Sequence, residues 1–275
     1  MSRHRQPPRW GLALLVATAV LFSLPLLWLL VSSVKPATQL TEDPYSLLPS
    51  SWQWGNFREA VEAMPYLVYL TNSLILCIGT VVGSVLSCSL VAYGFARLRW
   101  RGRRLLFGIV IATMLLPWHV TMIPRFLLFR ELGWYNHLTA LIAPTFLGDA
   151  FFIFLLRQFF LSIPEELSEA ARLDGLSEWS IFWRIILPLS KPAIATVALF
   201  QFIASWNDFG GPLLYLNDPQ QFPLAYGLEQ FVSSYSDQTH LLMAAAVLFT
   251  LPVIVLFVLA QRTFLEGIST TGLKE

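Results

Sequence analysis

The sequence predicts an all-α integral membrane protein with six transmembrane helices and both termini in the cytoplasm. Three observations predict it. The 275 residues are 56% hydrophobic and only 13% charged, where soluble domains average about 25% charged. Apolar runs recur that approach or exceed the roughly 20 residues a helix needs to cross a bilayer. The basic residues between those runs are sided. With the N-terminus inside, only Lys35, Arg58, Arg125 and Arg130 of the 18 lysines and arginines fall outside, and a basic excess marks the cytoplasmic face. The net charge of +1 gives no sign of a nucleic-acid partner.

The elements follow in order. Residues 1–10 form a cytoplasmic tail with Arg3, Arg5 and Arg9. The first span covers about 11–31. It is longer than the 7–15-residue core of a signal peptide and no small-residue cleavage site follows, so it reads as a retained span. Residues 35–65 are a polar external loop whose Trp52 and Trp54 suit the membrane interface. No charge occurs from Ala63 to Ala96, which gives a long second span over about 67–96. Within it Gly79, Gly83 and Ser87, four apart, form a small-residue stripe suited to close helix packing. Cys77 and Cys88 share this run. Eleven helical residues hold them roughly 16 Å apart, too far for a disulfide, so they read as buried free thiols.

Arg97, Arg99, Arg101, Arg103 and Arg104 follow and read as a cytoplasmic topology signal. The third span, about 105–124, is expected to kink at Pro117. The fourth, about 138–160, carries Asp149 near its centre. The fifth, about 193–214, contains Trp206-Asn207-Asp208-Phe209-Gly210-Gly211-Pro212. Irregular backbone at membrane depth is tolerated only when buried in protein or lining a wet cavity. The sixth span covers about 241–261, and 262–275 is a short cytoplasmic tail.

Residues 162–192 are a polar, helix-forming segment between two apolar spans. Ser162 is expected to cap a helix with Pro164 in its first turn. Glu165, Glu166 and Glu169 crowd its positive N-terminal end, and Gly175 reads as its stop. About ten residues make a helix roughly 15 Å long, too short to cross a bilayer. Ser177 is expected to cap a second short helix, ended by Pro188. Ala170 and Ala171 would leave a flat face that another protein's backbone could approach, and Glu169 and Arg172 share a face. Singly, each residue fits an ordinary surface loop. The spacing as a set does not.

Glu169-Ala170-Ala171, three residues, Gly175, nine residues, Ile185, one residue and Leu187-Pro188 resemble the EAA loop of ABC-importer permeases, the coupling helix of that family. Most of the rest resembles the smaller six-span partner of the maltose-type carbohydrate permeases. The matching pieces are Ser32-Ser33-Val34-Lys35-Pro36, Thr71-Asn72-Ser73, Ala92-Tyr93-Gly94-Phe95-Ala96-Arg97, Leu116-Pro117, Met122-Ile123-Pro124, the run from Phe154 to Phe160, Trp206-Asn207-Asp208-Phe209 and the run from Pro212 to Leu216. The tail resembles the family's ending, with Leu273 and Glu275 departing from its commonest wording.

The resemblance implies the ABC type I importer architecture in the cytoplasmic (inner) membrane of a prokaryote. It implies a heterodimer with a second permease subunit, two ATPase subunits and an extracytoplasmic sugar-binding protein. A mono- or oligosaccharide would be taken up by alternating access. Glu169, Ala170, Ala171, Arg172, Asp174, Gly175, Ile185, Leu187 and Pro188 are the matching positions of the ATPase-coupling motif. The only lysines, Lys35, Lys191 and Lys274, follow no glycine-rich phosphate loop, so this chain cradles no ATP of its own. It is expected to be a translocation subunit without a bound cofactor or metal, with ATP and Mg²⁺ held by the partner ATPases.

Three polar residues are candidates for the substrate path. Asp149 inside a span costs about 2.5–3.5 kcal/mol on insertion scales, so it should face a cavity, where it could bond a sugar hydroxyl, or pair with another helix. Asn207 and Asp208 either face the path or cap a helix end. His119 and His137 read as interfacial or structural, and no nucleophile–base pair stands out. A rival class, an ion-coupled secondary transporter or channel, needs intramembrane acids for a relay and usually inverted repeats. Only Asp149 could serve and no repeat is visible. Within the importer class, polyols and glycerol phosphates are alternative substrates, though no basic cluster stands at mid-membrane to meet an anion.

Overall fold

A computed structural model describes residues 9–234 and 238–271. Of the cytoplasmic tails expected from sequence, residues 1–8 and 272–275 lie outside the described residues, Leu273 and Glu275 among them, while 262–271 continue the last helix. Every regular element described is helical. The chain forms two compact units, Met1–Pro65 with Leu228–Pro252, and Tyr66–Gly227 with Val253–Glu275.

In the first unit, α1 (Arg9–Ser32) has 24 residues, about 36 Å of helix, and its apolar side chains are exposed as lipid-facing ones would be. The segment that follows carries α2 (Ala37–Glu42) and α3 (Gly55–Glu62). It is organised by Lys35, counted above among the external charges but fully buried here. Its Nζ donates to the Ser46 carbonyl at 2.5 Å and lies 4.4 Å from the centre of the Trp28 ring. Asn56 Nδ2 donates to the Ser33 and Lys35 carbonyls at 2.9 and 3.0 Å. Burial pushes the Lys35 ammonium below its usual range, against the pull of Asp43. Trp52 and Trp54 stack with centroids 6.0 Å apart and both stay exposed. Ala60 packs with Phe231, Leu241, Ala244 and Ala245.

The second unit is built on α4 (Tyr66–Ala96), 31 residues without a proline. The small-residue stripe does what its spacing suggests. A Cβ on Gly79 would meet Ile142 at 2.9 Å, one on Gly83 would meet the Phe146 ring at 2.8 Å, and Ser87 Oγ donates to the Thr145 carbonyl at 2.8 Å. Cys77 and Cys88 are free and buried.

The third apolar run is not one kinked helix. It is α5 (Arg103–Thr113) and α6 (Trp118–Glu131), with axes 96° apart. Pro117 has no amide hydrogen and keeps Leu116 out of the helical region, so the first helix stops and Pro117 becomes the N-cap of the second. The fourth run is broken as well. It consists of α7 (Thr139–Ile142), a 3-10 turn over Ala143–Leu147, Gly148 at φ +91°, and α8 (Ala150–Ser162).

Next come α9 (Glu165–Leu173) and α10 (Glu178–Leu189), then α11 (Lys191–Trp206) at 78° to α10. The expected fifth span therefore holds a 16-residue helix followed by α12 (Gly210–Tyr215), a separate helix of 6 residues. The chain closes with α13 (Leu224–Ser234) and α14 (Thr239–Thr271). Among the described residues, four helical stretches are long and apolar enough to cross a membrane, with Thr139–Ser162 taken as one across its 3-10 turn, and the two bent pairs would raise that to six.

Candidate functional site

The segment 162–192 folds as two short helices joined by a tight turn. Ser162 is not the cap expected of it. It is the last residue of α8, its Oγ donates to the Phe159 carbonyl at 2.7 Å, and Pro164 stands at the N-cap of α9 without a side-chain bond. Ser162 lies two residues before that N-cap, and its hydroxyl is taken by the helix it ends. Glu165 and Glu166 do occupy the first turn of α9. Gly175 stops it at φ +82°. The Leu176 amide donates to Ala171 and the Gly175 amide to Arg172, both at 3.0 Å, the paired bonds of a Schellman stop. A Cβ on Gly175 would meet nothing within 4 Å, so the backbone conformation alone calls for glycine.

Ala171 departs from the expected flat outer face. It is 5% exposed and packs into the chain's own core with Phe160 and Ile163. The open side of α9 carries Glu166, Glu169, Ala170, Leu173 and Asp174, and Leu173 is 90% exposed.

Ser177 caps α10, its Oγ accepting from the Ser180 amide at 3.3 Å. Pro188 does not end α10, which runs on to Leu189. Residues Phe182–Ile186 form a π turn, whose wider bore relieves the clash of the proline ring with the Arg184 carbonyl. Phe182 and Ile186 are buried in the core, Ile185 and Leu187 pack against it, and Pro188 is exposed.

Charge ties this segment to α4. Arg172 Nε donates to Glu178 Oε1 at 2.6 Å, and Nη2 reaches Oε2 at 3.4 Å. The Tyr93 hydroxyl donates to Glu178 Oε2 at 2.6 Å. The Arg172 guanidinium holds the Glu178 carboxyl below the usual carboxylate range, with the Tyr93 bond pulling the same way and partial burial against. Arg97, buried, donates from Nη2 to the Phe160 and Ile163 carbonyls, both at 2.6 Å. Arg99 meets Glu165 at 2.9 Å on the open surface. Arg97, Arg99, Glu165, Glu169, Arg172 and Glu178 line a cleft of about 650 Å³. In the sequence Arg97 and Arg99 read as topology signals, Tyr93 enters only through the family resemblance, and Glu178 has no assigned role. The available signal was Ser177-Glu178, a cap followed by a first-turn acid.

A second cavity, of about 490 Å³, lies beside α4 and is lined by Thr80, Trp118, Arg125, Gln201, Ser205, Asp208 and Tyr215 together with apolar residues. A chain of side-chain bonds runs along one wall. Ser84 Oγ donates to Gln201 Oε1 at 3.0 Å, Gln201 Nε2 donates to Ser205 Oγ at 2.8 Å, and Ser205 Oγ and Thr80 Oγ1 lie 2.7 Å apart.

Of the three polar residues expected on a path, only Asp208 lines this cavity. Its Oδ1 also accepts from the Gly211 amide at 2.9 Å. Asn207 is exposed at the end of α11, its Nδ2 donating to Ile203 at 2.8 Å. Asp149 does not sit inside a helix. It is the N-cap of α8, accepting from the Phe151 and Phe152 amides at 2.9 and 3.2 Å. Gly148 breaks the run just before it, which converts a costly mid-helix acid into a cap.

Residues 79–269 match the family described as "Binding-protein-dependent transport system inner membrane component". Over 253 residues the chain is 35% identical to the arabinooligosaccharides transport system permease protein AraQ of Halalkalibacterium halodurans, covering 91% of this chain and 90% of that protein. It is 31% identical over 261 residues to the diacetylchitobiose uptake system permease protein NgcG of Streptomyces coelicolor, covering 94% and 86%. Among solved structures, a chain of a bacterial ABC transporter involved in the import of the acidic polysaccharide alginate is similar at 26% identity and a TM-score of 0.81, covering 96% of this chain and 99% of that one.

Proposed function

Because the chain belongs to the family of inner membrane components of binding-protein-dependent transport systems, we propose that it is the permease subunit of an ATP-driven carbohydrate importer. A binding protein outside the membrane hands over a mono- or oligosaccharide, and a second permease completes the path. Two ATPase subunits hold ATP and Mg²⁺. The carbohydrate class is supported by the arabinooligosaccharide and diacetylchitobiose systems of the relatives.

The observation that carries this reading is the 162–192 segment. The residues of the coupling motif divide by role. Glu169, Ala170, Asp174 and Gly175 stand on the open side, while Ala171, Ile185 and Leu187 anchor the segment to the core. Arg172 fixes α9 to α10 through Glu178. A short polar helix so mounted can seat in another protein and transmit displacement to the helices it is fixed to. Alternating access needs such a contact, one that differs between two states. Asp208 places a carboxylate on the cavity wall beside Trp118 and Tyr215, a combination that suits sugar hydroxyls and ring faces.

A second reading of the substrate, an acidic carbohydrate, is favoured by Arg125. It faces the same cavity, and no described carboxylate pairs with it.

The test is sugar-stimulated ATP hydrolysis and uptake in the reconstituted complex with its binding protein. Gly175→Asp forces a β-carbon into a left-handed backbone on the open side and adds a charge there. It should leave insertion intact, release the ATPase and abolish uptake. Normal uptake in that variant would remove the coupling role. Neutral and uronate-bearing oligosaccharides, compared as stimulants, decide the substrate reading.

A further inference from the structure

One carboxylate joins three helices beside the coupling segment. Glu178 belongs to α10, receives Arg172 of α9 on Oε1, and receives Tyr93 of α4 on Oε2, both at 2.6 Å. The other contacts holding α10 to α4 are apolar, such as Phe182 packed on the Tyr93 ring with centroids 5.2 Å apart. Apolar contact is non-directional and tolerates sliding. A bond from a hydroxyl to a charged carboxylate fixes distance and angle, and is among the stronger hydrogen bonds. Tyr93 is 5% exposed, so its hydroxyl reaches Glu178 from inside the core.

The same helix reaches the cavity. Thr80 lies on the cavity wall, and 13 residues of unbroken helix, roughly 20 Å, separate it from Tyr93. α4 carries no proline and is a continuous rod between the two places.

We propose that Tyr93 and Glu178 are positioning residues that latch the coupling segment to α4, so that segment and rod move as one body and hydrolysis is tied to transport. Without the latch, the segment would still seat in the ATPase, but its displacement would be absorbed by sliding. This rests on the coupling role proposed above for 162–192.

The experiment uses the full reconstituted complex and measures uptake and ATP hydrolysis together. Tyr93→Phe removes one oxygen and keeps the ring on Phe182. It should cut sugar transported per ATP at least threefold while hydrolysis persists. Glu178→Ala should do the same, and the double variant should be no worse than the more severe single one, as expected of two residues acting through one contact. A proportional fall in uptake and hydrolysis, or a Tyr93→Phe complex that no longer assembles, would make the contact merely structural and overturn the proposal. So would a wild-type ratio. Gly175→Asp, run alongside, separates the two ideas. If it transports normally, the coupling role itself fails. If it abolishes uptake while Tyr93→Phe keeps the wild-type ratio, only the latch fails.

Discussion

The two halves of α4 are held by opposite means. Along Gly79, Gly83 and Ser87 the helix is held by smallness, with neighbouring side chains seated where a Cβ would stand. At Tyr93 and Arg97 it is held by long polar side chains that reach 162–192 and the end of α8. Close packing is intolerant, because a protein interior has no spare volume for an added methyl. Polar reach is directional, because a hydrogen bond to a charged group fixes the distance and angle between the elements it joins. The first region suits a fixed frame, the second a joint that holds separate elements at a set geometry.

Breaking the frame should produce the largest effect. Gly83→Val places branched carbons on the Thr145–Phe146 turn, where even one Cβ comes within 2.8 Å of the Phe146 ring. Overpacking costs about 1–3 kcal/mol or more. The purified complex should melt several degrees lower and be recovered in lower yield. An unchanged melting midpoint would mean that the 143–147 turn does not rest on α4.

Ser205→Ala should act next. Its hydroxyl is shared by Thr80 and Gln201, and losing it leaves two partners short of a bond. Hydrogen bonds between membrane helices average about 0.6 kcal/mol with a maximum near 1.7, so a loss in that range is expected. Stability should fall while the sugar-to-ATP ratio stays at wild type. A change in that ratio would move the α4–α11 contact from the frame to the joint.

The sequence made the frame and the coupling segment legible for different reasons. The stripe on α4 was visible because small residues at a four-residue spacing have few uses in an apolar helix. Gly175 was visible because a polar helix must stop before the next span. The breaks inside apolar runs were not, because periodicity reports which residues avoid water and says little about whether backbone continuity survives. Pro117 and Gly148 each ended a helix where a kink or nothing had been expected, and Asp149 became a cap as a result. Tyr93 and Glu178 were hidden because they lie 85 residues apart in sequence, and no local pattern links them.

Acid should loosen the joint by a smaller amount. Arg172 holds the folded-state Glu178 carboxyl below its ordinary range. Its contribution is therefore complete above the unfolded-state value, about 4.3, and is lost as pH falls through the lower folded-state value. The difference in melting midpoint between wild type and Glu178→Ala should be constant from neutral pH to about 5 and shrink below about 4. A difference that instead faded near neutrality would assign the titration to another group.

The smallest effect should come from the Arg99–Glu165 pair, and it sharpens the comparison most. Its length, 2.9 Å, is close to that of Arg172–Glu178, but its side chains are 81% and 50% exposed, against 34% and 42%. Exposed pairs contribute about 0.2–1 kcal/mol and are screened by salt, and the side-chain hydrogen bond of this one joins Arg99 to Glu165 alone. Arg99→Ala should shift stability by no more than about 0.5 kcal/mol, with the shift gone near 1 M salt, and should leave the sugar-to-ATP ratio alone. If Arg99→Ala uncoupled the complex as strongly as Tyr93→Phe, an ion pair anywhere on the segment would suffice. The convergence of three helices on Glu178 would then lose its special place. If only Tyr93 and Glu178 uncouple, what matters is which helices a contact joins, since the two ion pairs are near-equal in length and alike in chemistry.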